Sequence, residues 1–148
     1  MNPYPYLRAY LAGIFVPTLV LPLVLCVFII VRVVLREPIP IEQAMIFPMA
    51  GAPILFGIWN MVYLASHERT HLPIGIHGAI LPFFIAPVAA TTGSCFGVLQ
   101  IDAHGLTWFH ACTVPFGYIA IGFLVALAVY YLVWKFIVGG INRVLGIA

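Results

Sequence analysis

The stretch LAGIFVPTLVLPLVLCVFIIV, residues Leu11–Val31, decides the class of fold. It contains no charged residue and is about as long as the roughly 20 apolar residues that a helix needs to cross a bilayer. A membrane-spanning barrel strand would instead alternate apolar and polar residues over a shorter length. Because this apolar run is continuous, the sequence predicts a transmembrane α-helix.

The composition extends this prediction to the whole chain. Of the 148 residues, 64% are hydrophobic and only 7% are charged. A soluble domain carries about 25% charged residues, so we expect the lipid bilayer to be the main partner of this chain. The net charge of +2 is too small and too scattered for a nucleic-acid-binding protein, which neutralises several phosphates with Lys and Arg.

Three more apolar stretches follow the first, and short polar or proline-containing connections separate them. The sequence predicts an all-α integral membrane domain over residues 1–148, with spans at about 11–34, 44–65, 73–99 and 106–134. Connections this short make consecutive helices antiparallel neighbours, so we expect a four-helix bundle. The first span should stop at Arg36 and the helix-breaking prolines Pro38 and Pro40.

Prolines recur inside the predicted spans. Three spans contain a Pro-x4-Pro pair and the fourth contains a single proline: Pro17/Pro22, Pro48/Pro53, Pro82/Pro87 and Pro115. A proline inside a helix removes a hydrogen bond and kinks the helix, so we expect a proline-kinked bundle. The kinks could serve as hinges, or they could reflect the general tolerance of membrane helices for proline.

The six basic residues indicate an orientation. Four of them fall on one predicted side of the membrane and two on the other: Arg8, Arg69, Lys135 and Arg143 against Arg32 and Arg36. Lys and Arg accumulate on the cytoplasmic side of membrane proteins. The sequence therefore favours a multi-pass protein with both termini in the cytoplasm.

Small residues on the third predicted span indicate a packing face. Ala89, Gly93 and Gly97 recur every four residues, and Gly-x3-Gly is a pattern by which membrane helices approach closely. This face could join helices within one chain or join two copies of the chain. Because a four-span unit is small, we expect a homo-oligomer.

A histidine-rich segment follows the second span. His67, Glu68 and His71 match H-E-x-x-H, in which two histidines one helical turn apart bind zinc and the glutamate acts as a general base. His77 could supply a third ligand. The spacing resembles the metzincin zinc-protease pattern, although Ile74 stands at its glycine position. Alternatively, these residues simply end a membrane helix at the lipid headgroups, because charge is unfavourable deeper in the bilayer.

Asn60 is a polar residue inside the second span. At helical spacing it shares a face with Tyr63 or Leu64, His67 and His71, and Arg69 is a further candidate for a polar path or interhelical contact. An amide at this depth needs hydrogen-bond partners, so the face should point into the bundle. It could make an interhelical hydrogen bond, or it could begin a polar path from Asn60 to the histidines.

A second polar cluster is predicted on the opposite side of the membrane. It comprises Cys95, Asp102, His104, His110 and Cys112. These residue types could bind a soft or borderline metal, and the two cysteines could pair in an oxidising compartment.

Two classes of function follow from these observations. The first is an oligomeric channel, carrier or membrane scaffold, which could handle a small ion or small molecule. The alternative is a metal-binding membrane protein or membrane metalloenzyme that holds zinc at the His67–His71 segment. No residue pattern indicates a catalytic triad or an organic cofactor site.

Overall fold

The computed structural model describes residues 4–36, 40–110 and 112–147. It is mainly helical, with one small sheet before the last long helix. In chain order the elements are α1 (Pro5–Val34), α2 (Ile41–Thr70), α3 (Ile74–Cys95), β1 (Leu99–Ile101), β2 (Gly105–Trp108), β3 (Cys112–Pro115), α4 (Phe116–Leu132), a π-helical segment (Val133–Val138) and α5 (Gly139–Val144). Residues 37–39 lie outside the described ranges, and part of the predicted stop after the first span falls on them.

Four helical segments are long and apolar enough to cross a membrane, which confirms this part of the prediction. They are Pro5–Val34, Pro48–Thr70, Ile74–Cys95 and Phe116–Val144. Only 6% of the most apolar 18-residue window of the first segment is buried inside the protein, and 0% of the corresponding window of the last segment is buried. Large apolar side chains such as Leu23 and Leu124 therefore face outward, where hydrocarbon would solvate them.

The small sheet departs from the all-α prediction. Its order is β1–β2–β3 with both pairs antiparallel, and Thr107 lies opposite Thr113. The fourth span consequently begins at Phe116 rather than near Leu106. The segment Cys112–Pro115 contains β-branched residues, which favour strands, and a proline, which lacks the N–H that a helix interior needs. Apolar composition alone does not distinguish such a segment from a helix.

The end of α3 is set by a glycine. Gly97 has φ +69°, a left-handed conformation that suits glycine. Its N–H donates to the carbonyl of Ser94 at 3.1 Å, and the N–H of Val98 donates to the carbonyl of Gly93 at 2.8 Å. This pair of bonds is the Schellman motif, which satisfies carbonyls at a helix end. The chain can therefore turn from α3 into β1.

The end of α2 lies inside the histidine-rich segment. His71 caps the helix with φ 50°, and its N–H donates to the carbonyl of His67 at 2.9 Å. Pro73 follows two residues later and immediately precedes α3. A left-handed residue followed by proline is a common helix stop, so α2 and α3 are separated by only three residues.

The core lies where α2, α3 and the π-helical segment meet. Its buried members are Phe56, Leu81, Trp134 and Val138. The Phe56 and Trp134 rings have centroids 6.0 Å apart, and the Trp134 side chain is fully buried. The partly buried residues that pack against this core are Val16, Trp59, Ile74, Ile85, Tyr130 and Val133.

α1 and α2 approach most closely at two glycines. A Cβ atom added at Gly13 would overlap the carbonyl oxygen of Phe56 and lie 2.8 Å from the Cα of Gly57. A Cβ atom added at Gly57 would lie 2.5 Å from the ring of Tyr10. Ala9, four residues before Gly13, is fully buried as well. Small residues allow this contact because they bring two helix backbones together without intervening side chains.

The contacts gather four chain segments at one end of the molecule: the start of α1, the second half of α2, the start of α3 and the end of the last span. Arg8 Nη1 donates to the carbonyl of Leu145 at 3.2 Å. A Cβ atom at Gly75 would lie 3.2 Å from the Cβ of Lys135. We call this the basic end, because it carries Arg8, Arg69, Lys135 and Arg143.

An ion pair joins α1 and α2 at the opposite end. Arg32 Nη1 lies 2.8 Å from Glu42 Oε1, and both side chains are exposed. Glu42 lies in the first turn of α2, where a carboxylate also interacts favourably with the helix dipole. The backbone hydrogen bond at Glu42, and then the Arg32 guanidinium, hold the pKa of this carboxyl below its ordinary value.

We expect Glu42→Gln to destabilise the protein only slightly, because exposed ion pairs contribute little. A lowered pKa means that the contribution is present at neutral pH and is lost as the pH falls below the ordinary glutamate pKa of about 4.3. Chemical unfolding in detergent at neutral and acidic pH would measure this. The gap between wild type and variant should close on acidification, and a gap of the same size at both pH values would contradict this prediction.

Candidate functional site

Two buried asparagines form a reciprocal pair near the basic end. Asn60 Nδ2 donates to Asn142 Oδ1 at 2.9 Å, and Asn142 Nδ2 donates back to Asn60 Oδ1 at 3.1 Å. Asn60 uses its second N–H to donate to the carbonyl of Ala9 at 2.8 Å. Both asparagine side chains are fully buried. This cluster therefore ties α1, α2 and α5 together through side-chain amides.

A second reciprocal pair joins α2 to α3. His77 Nε2 lies 3.0 Å from the carbonyl of Trp59, and Trp59 Nε1 donates to the carbonyl of His77 at 2.9 Å. Since a carbonyl only accepts, Nε2 of His77 carries a hydrogen and donates. The two rings stack with centroids 4.7 Å apart. The pair thus fixes both the ring position and one protonated nitrogen of His77.

Two further aromatic rings surround His77. Tyr63 lies 5.3 Å away between centroids, and Trp134 meets the imidazole edge-on at 5.8 Å. Gly78 allows this arrangement, because a Cβ atom there would overlap Cβ, Cγ and Cδ1 of Trp134. His77 is therefore a packed, hydrogen-bonded histidine at the contact of α2, α3 and the π-helical segment.

The four residues of the predicted zinc site take different environments. His77 is buried as described, and the ring of His67 lies 5.5 Å from that of Tyr63. Glu68 and His71 are exposed at the end of α2. Within the described ranges, no group of three His, Cys, Asp or Glu side chains is arranged to hold a metal ion. Zinc binding by His67, Glu68, His71 and His77 stays an untested prediction.

The residues of the predicted polar path also separate. Asn60 donates hydrogen bonds to Asn142 and Ala9, whereas Tyr63 is buried against the His67 and His77 rings. Arg69 is exposed near the end of α2. The structure thus brings Tyr63 to the histidines and gives Asn60 partners from other helices.

The predicted packing residues of the third span lie at the other end of the molecule. Ala89 is exposed, and a Cβ atom at Gly93 would lie 3.1 Å from the Cβ of Leu99 in β1. Gly97 is outside α3 and ends it. Gly93 therefore makes room for the sheet within this chain, and the role of these residues between copies stays a prediction.

The second predicted polar cluster is built around the sheet. Thr107 Oγ1 donates to Asp102 Oδ2 at 2.9 Å and lies 2.9 Å from Thr113 Oγ1. Cys95 and Cys112 are both free and exposed. These contacts tie the exposed side chains of β2 and β3 to the preceding turn.

Sequence reasoning missed Asn142 and Trp134, two of the most buried side chains. Asn142 lies beyond Gly139 and Gly140, where the fourth span was expected to have ended. The sequence does contain a signal that could have drawn attention to Asn142, because it is one of only three asparagines in the chain. Trp134 stands at the predicted end of the fourth span, and the structure places it in the core.

Comparisons with protein families, with curated proteins and with solved structures find no match for this chain.

We expect Asn60→Leu to destabilise the protein by about 1–2 kcal/mol, the range found for hydrogen bonds between membrane helices. The variant leaves the Asn142 amide and the Ala9 carbonyl without their Asn60 partner. Asn142→Leu should destabilise the protein less than Asn60→Leu does, because Asn60 would keep its hydrogen bond to the carbonyl of Ala9. Unfolding of both single variants and the double variant, titrated with SDS in mixed micelles, would measure these effects.

The double variant supplies the control for this prediction. If the two amides bond to each other, Asn60→Leu and Asn142→Leu together should destabilise by less than the sum of the single effects. Strict additivity would contradict the pairing.

Proposed function

We propose that the protein is a small membrane scaffold that works as a homo-oligomer. Its four helices would form a proline-kinked antiparallel bundle with both termini in the cytoplasm. One observation carries the proposal: the buried polar side chains of Asn60, Asn142 and His77 form hydrogen bonds between helices. Such bonds give a membrane protein a defined helix arrangement, which a scaffold needs.

The same observation weighs against a channel or a carrier of polar solutes. A conducting pathway needs polar groups that can replace the hydration shell of an ion. Both N–H groups of the Asn60 amide donate to protein atoms, and its oxygen accepts from Asn142. A cavity of about 240 Å³ does lie between α1, α2 and the last span, but apolar residues and Tyr130 line it. This interior suits hydrocarbon better than ions.

Self-association is supported by the outward faces of the first and last spans. Ile121 and Leu124 on α4 are 61% and 64% exposed. On the same face, one turn before Ile121, lies Gly117, at which an added Cβ atom would meet no atom within 4 Å. A helix face that combines large apolar residues with a glycine can pack against another copy as well as against lipid.

The orientation is supported by the distribution of basic residues. Both described chain ends lie at the basic end, where Arg8 contacts Leu145. Four of the six Lys and Arg residues are also located there. The positive-inside tendency would therefore place this end in the cytoplasm.

The scaffold proposal is tested by counting subunits and measuring flux on the same reconstituted samples. The protein, with one dye at a C-terminal tag, is placed in liposomes at a low protein-to-lipid ratio. We expect more than one photobleaching step per particle and K⁺ flux no faster than in empty liposomes. A single step at every protein-to-lipid ratio would remove the homo-oligomer. Flux well above background that Asn60→Leu alters would favour a channel instead.

A further inference from the structure

The charges of this protein are distributed unevenly between its two ends. Within the described ranges, the basic end carries four basic residues and one acidic residue, Glu68. The opposite end carries two basic residues, Arg32 and Arg36, and two described acidic residues, Glu42 and Asp102. In the described part of the chain the single ion pair, Arg32–Glu42, also belongs to the opposite end. None of the described carboxylates is therefore paired with the excess positive charge at the basic end.

Two arginines are anchored along α5. Arg143 Nε donates to the carbonyl of Gly139 at 3.3 Å, and Arg8 Nη1 donates to the carbonyl of Leu145 at 3.2 Å. These two carbonyls are six residues apart, or about 9 Å along a helix. In these two bonds each arginine uses one donor, whereas a guanidinium group has five. The short helix α5 and the residue that caps it thus accept hydrogen bonds from two guanidinium groups, each of which keeps donors to spare.

The surroundings place these arginines at the depth of lipid headgroups. Tyr4 and Tyr6, beside Arg8, are 74% and 49% exposed, and such tyrosines favour the membrane interface. Arg8 also lies in the first helical turns of α1, where the helix dipole adds partial positive charge. The ammonium group of Lys135 lies over the Tyr131 ring at 5.4 Å, with its exposed side chain near the start of α3.

We propose that Arg8 and Arg143 form a binding site for the phosphate headgroup of an anionic phospholipid, with Lys135 adding positive charge to the same end of the molecule. Charge complementarity selects an anion, and guanidinium groups match phosphate geometry through several N–H donors. Basic pockets between transmembrane helices are known to bind anionic headgroups. The acyl chains of such a lipid would lie along the outward apolar residues of the spans. This site does not require self-association, so it stands apart from the proposed scaffold function.

The test is a titration of the purified protein with phosphatidylglycerol and, separately, with phosphatidylcholine, followed by native mass spectrometry. Wild type should bind phosphatidylglycerol more tightly. Each basic residue near a membrane surface contributes an attraction equivalent to about fivefold in affinity. We therefore expect Arg143→Gln to weaken phosphatidylglycerol binding about fivefold and Arg8→Gln/Arg143→Gln about 25-fold.

Arg36→Gln is the matched control, because it removes the same charge from the opposite end. It should leave phosphatidylglycerol binding unchanged, and Arg143→Lys should retain most of it. Arg143 bonds only within its own helical turn, so its variants should fold even if Arg8→Gln does not. Equal binding of both lipids by wild type would overturn the proposal. Equal losses in Arg36→Gln and Arg143→Gln would do so too, because they would indicate unspecific attraction.

Discussion

Replacing Gly78 by alanine is expected to destabilise the protein by about 3 kcal/mol, the upper part of the range for an overpacked core. The added Cβ atom would overlap Cβ, Cγ and Cδ1 of Trp134, which are the atoms nearest the tryptophan backbone. Rotation of the indole cannot move its Cβ, so α3 and the π-helical segment would have to separate. The Trp134 side chain is fully buried, and its displacement would disturb the contacts with Phe56 and His77.

The measurement is unfolding in mixed micelles, with tryptophan fluorescence as a second signal. Gly122→Ala is the matched control, because a Cβ atom there meets no atom within 4 Å. Alanine is a better helix former than glycine by about 1 kcal/mol, so the control should be neutral or slightly stabilising. The double variant Gly78→Ala/Trp134→Ala should be less destabilised than the sum of its single variants. A Gly78→Ala variant as stable as the control would contradict this packing.

How far the sequence predicts this structure depends on whether a feature is local or tertiary. The run Leu11–Val31 predicts a spanning helix because apolar length is a property of the segment alone, and α1 contains it. The sheet from Leu99 to Pro115 is harder to predict. Its residues are nearly as apolar as those of a helix, and their β-preference competes with the hydropathy of their neighbours.

The site shows the same division. The sequence predicts that Asn60 points into the protein, because an amide is unfavourable in lipid. It cannot predict that the partner is Asn142, since this requires knowing that α5 lies beside α1 and α2. For His77, the sequence pattern and the tertiary contacts indicate different roles. Its spacing to His67 and His71 predicts a metal ligand, whereas its bonds to Trp59 arise only from the contact of α2 with α3.

Gly13→Ala is the second substitution with a large expected effect, again about 3 kcal/mol. At Gly78 the added atom meets a side chain, whereas at Gly13 it meets backbone atoms of α2. It would overlap the Phe56 carbonyl oxygen, and the carbonyl carbon lies 2.9 Å away. No change of rotamer can relieve a contact with backbone, so the two helices must move apart. Gly122→Ala, at an open position on α4, is again the matched control.

This separation should also weaken a bond that the substitution does not touch. The Asn60 amide reaches the carbonyl of Ala9, one helical turn before Gly13, only while α1 and α2 are in close contact. Asn60→Leu should therefore destabilise less in the Gly13→Ala background than in wild type, and SDS titration of the four proteins would show it. If the Asn60→Leu effect is the same in both backgrounds, the close approach at Gly13 does not support the asparagine cluster. A reduced effect would show that small residues and buried amides act as one unit in holding α1 to the rest of the protein.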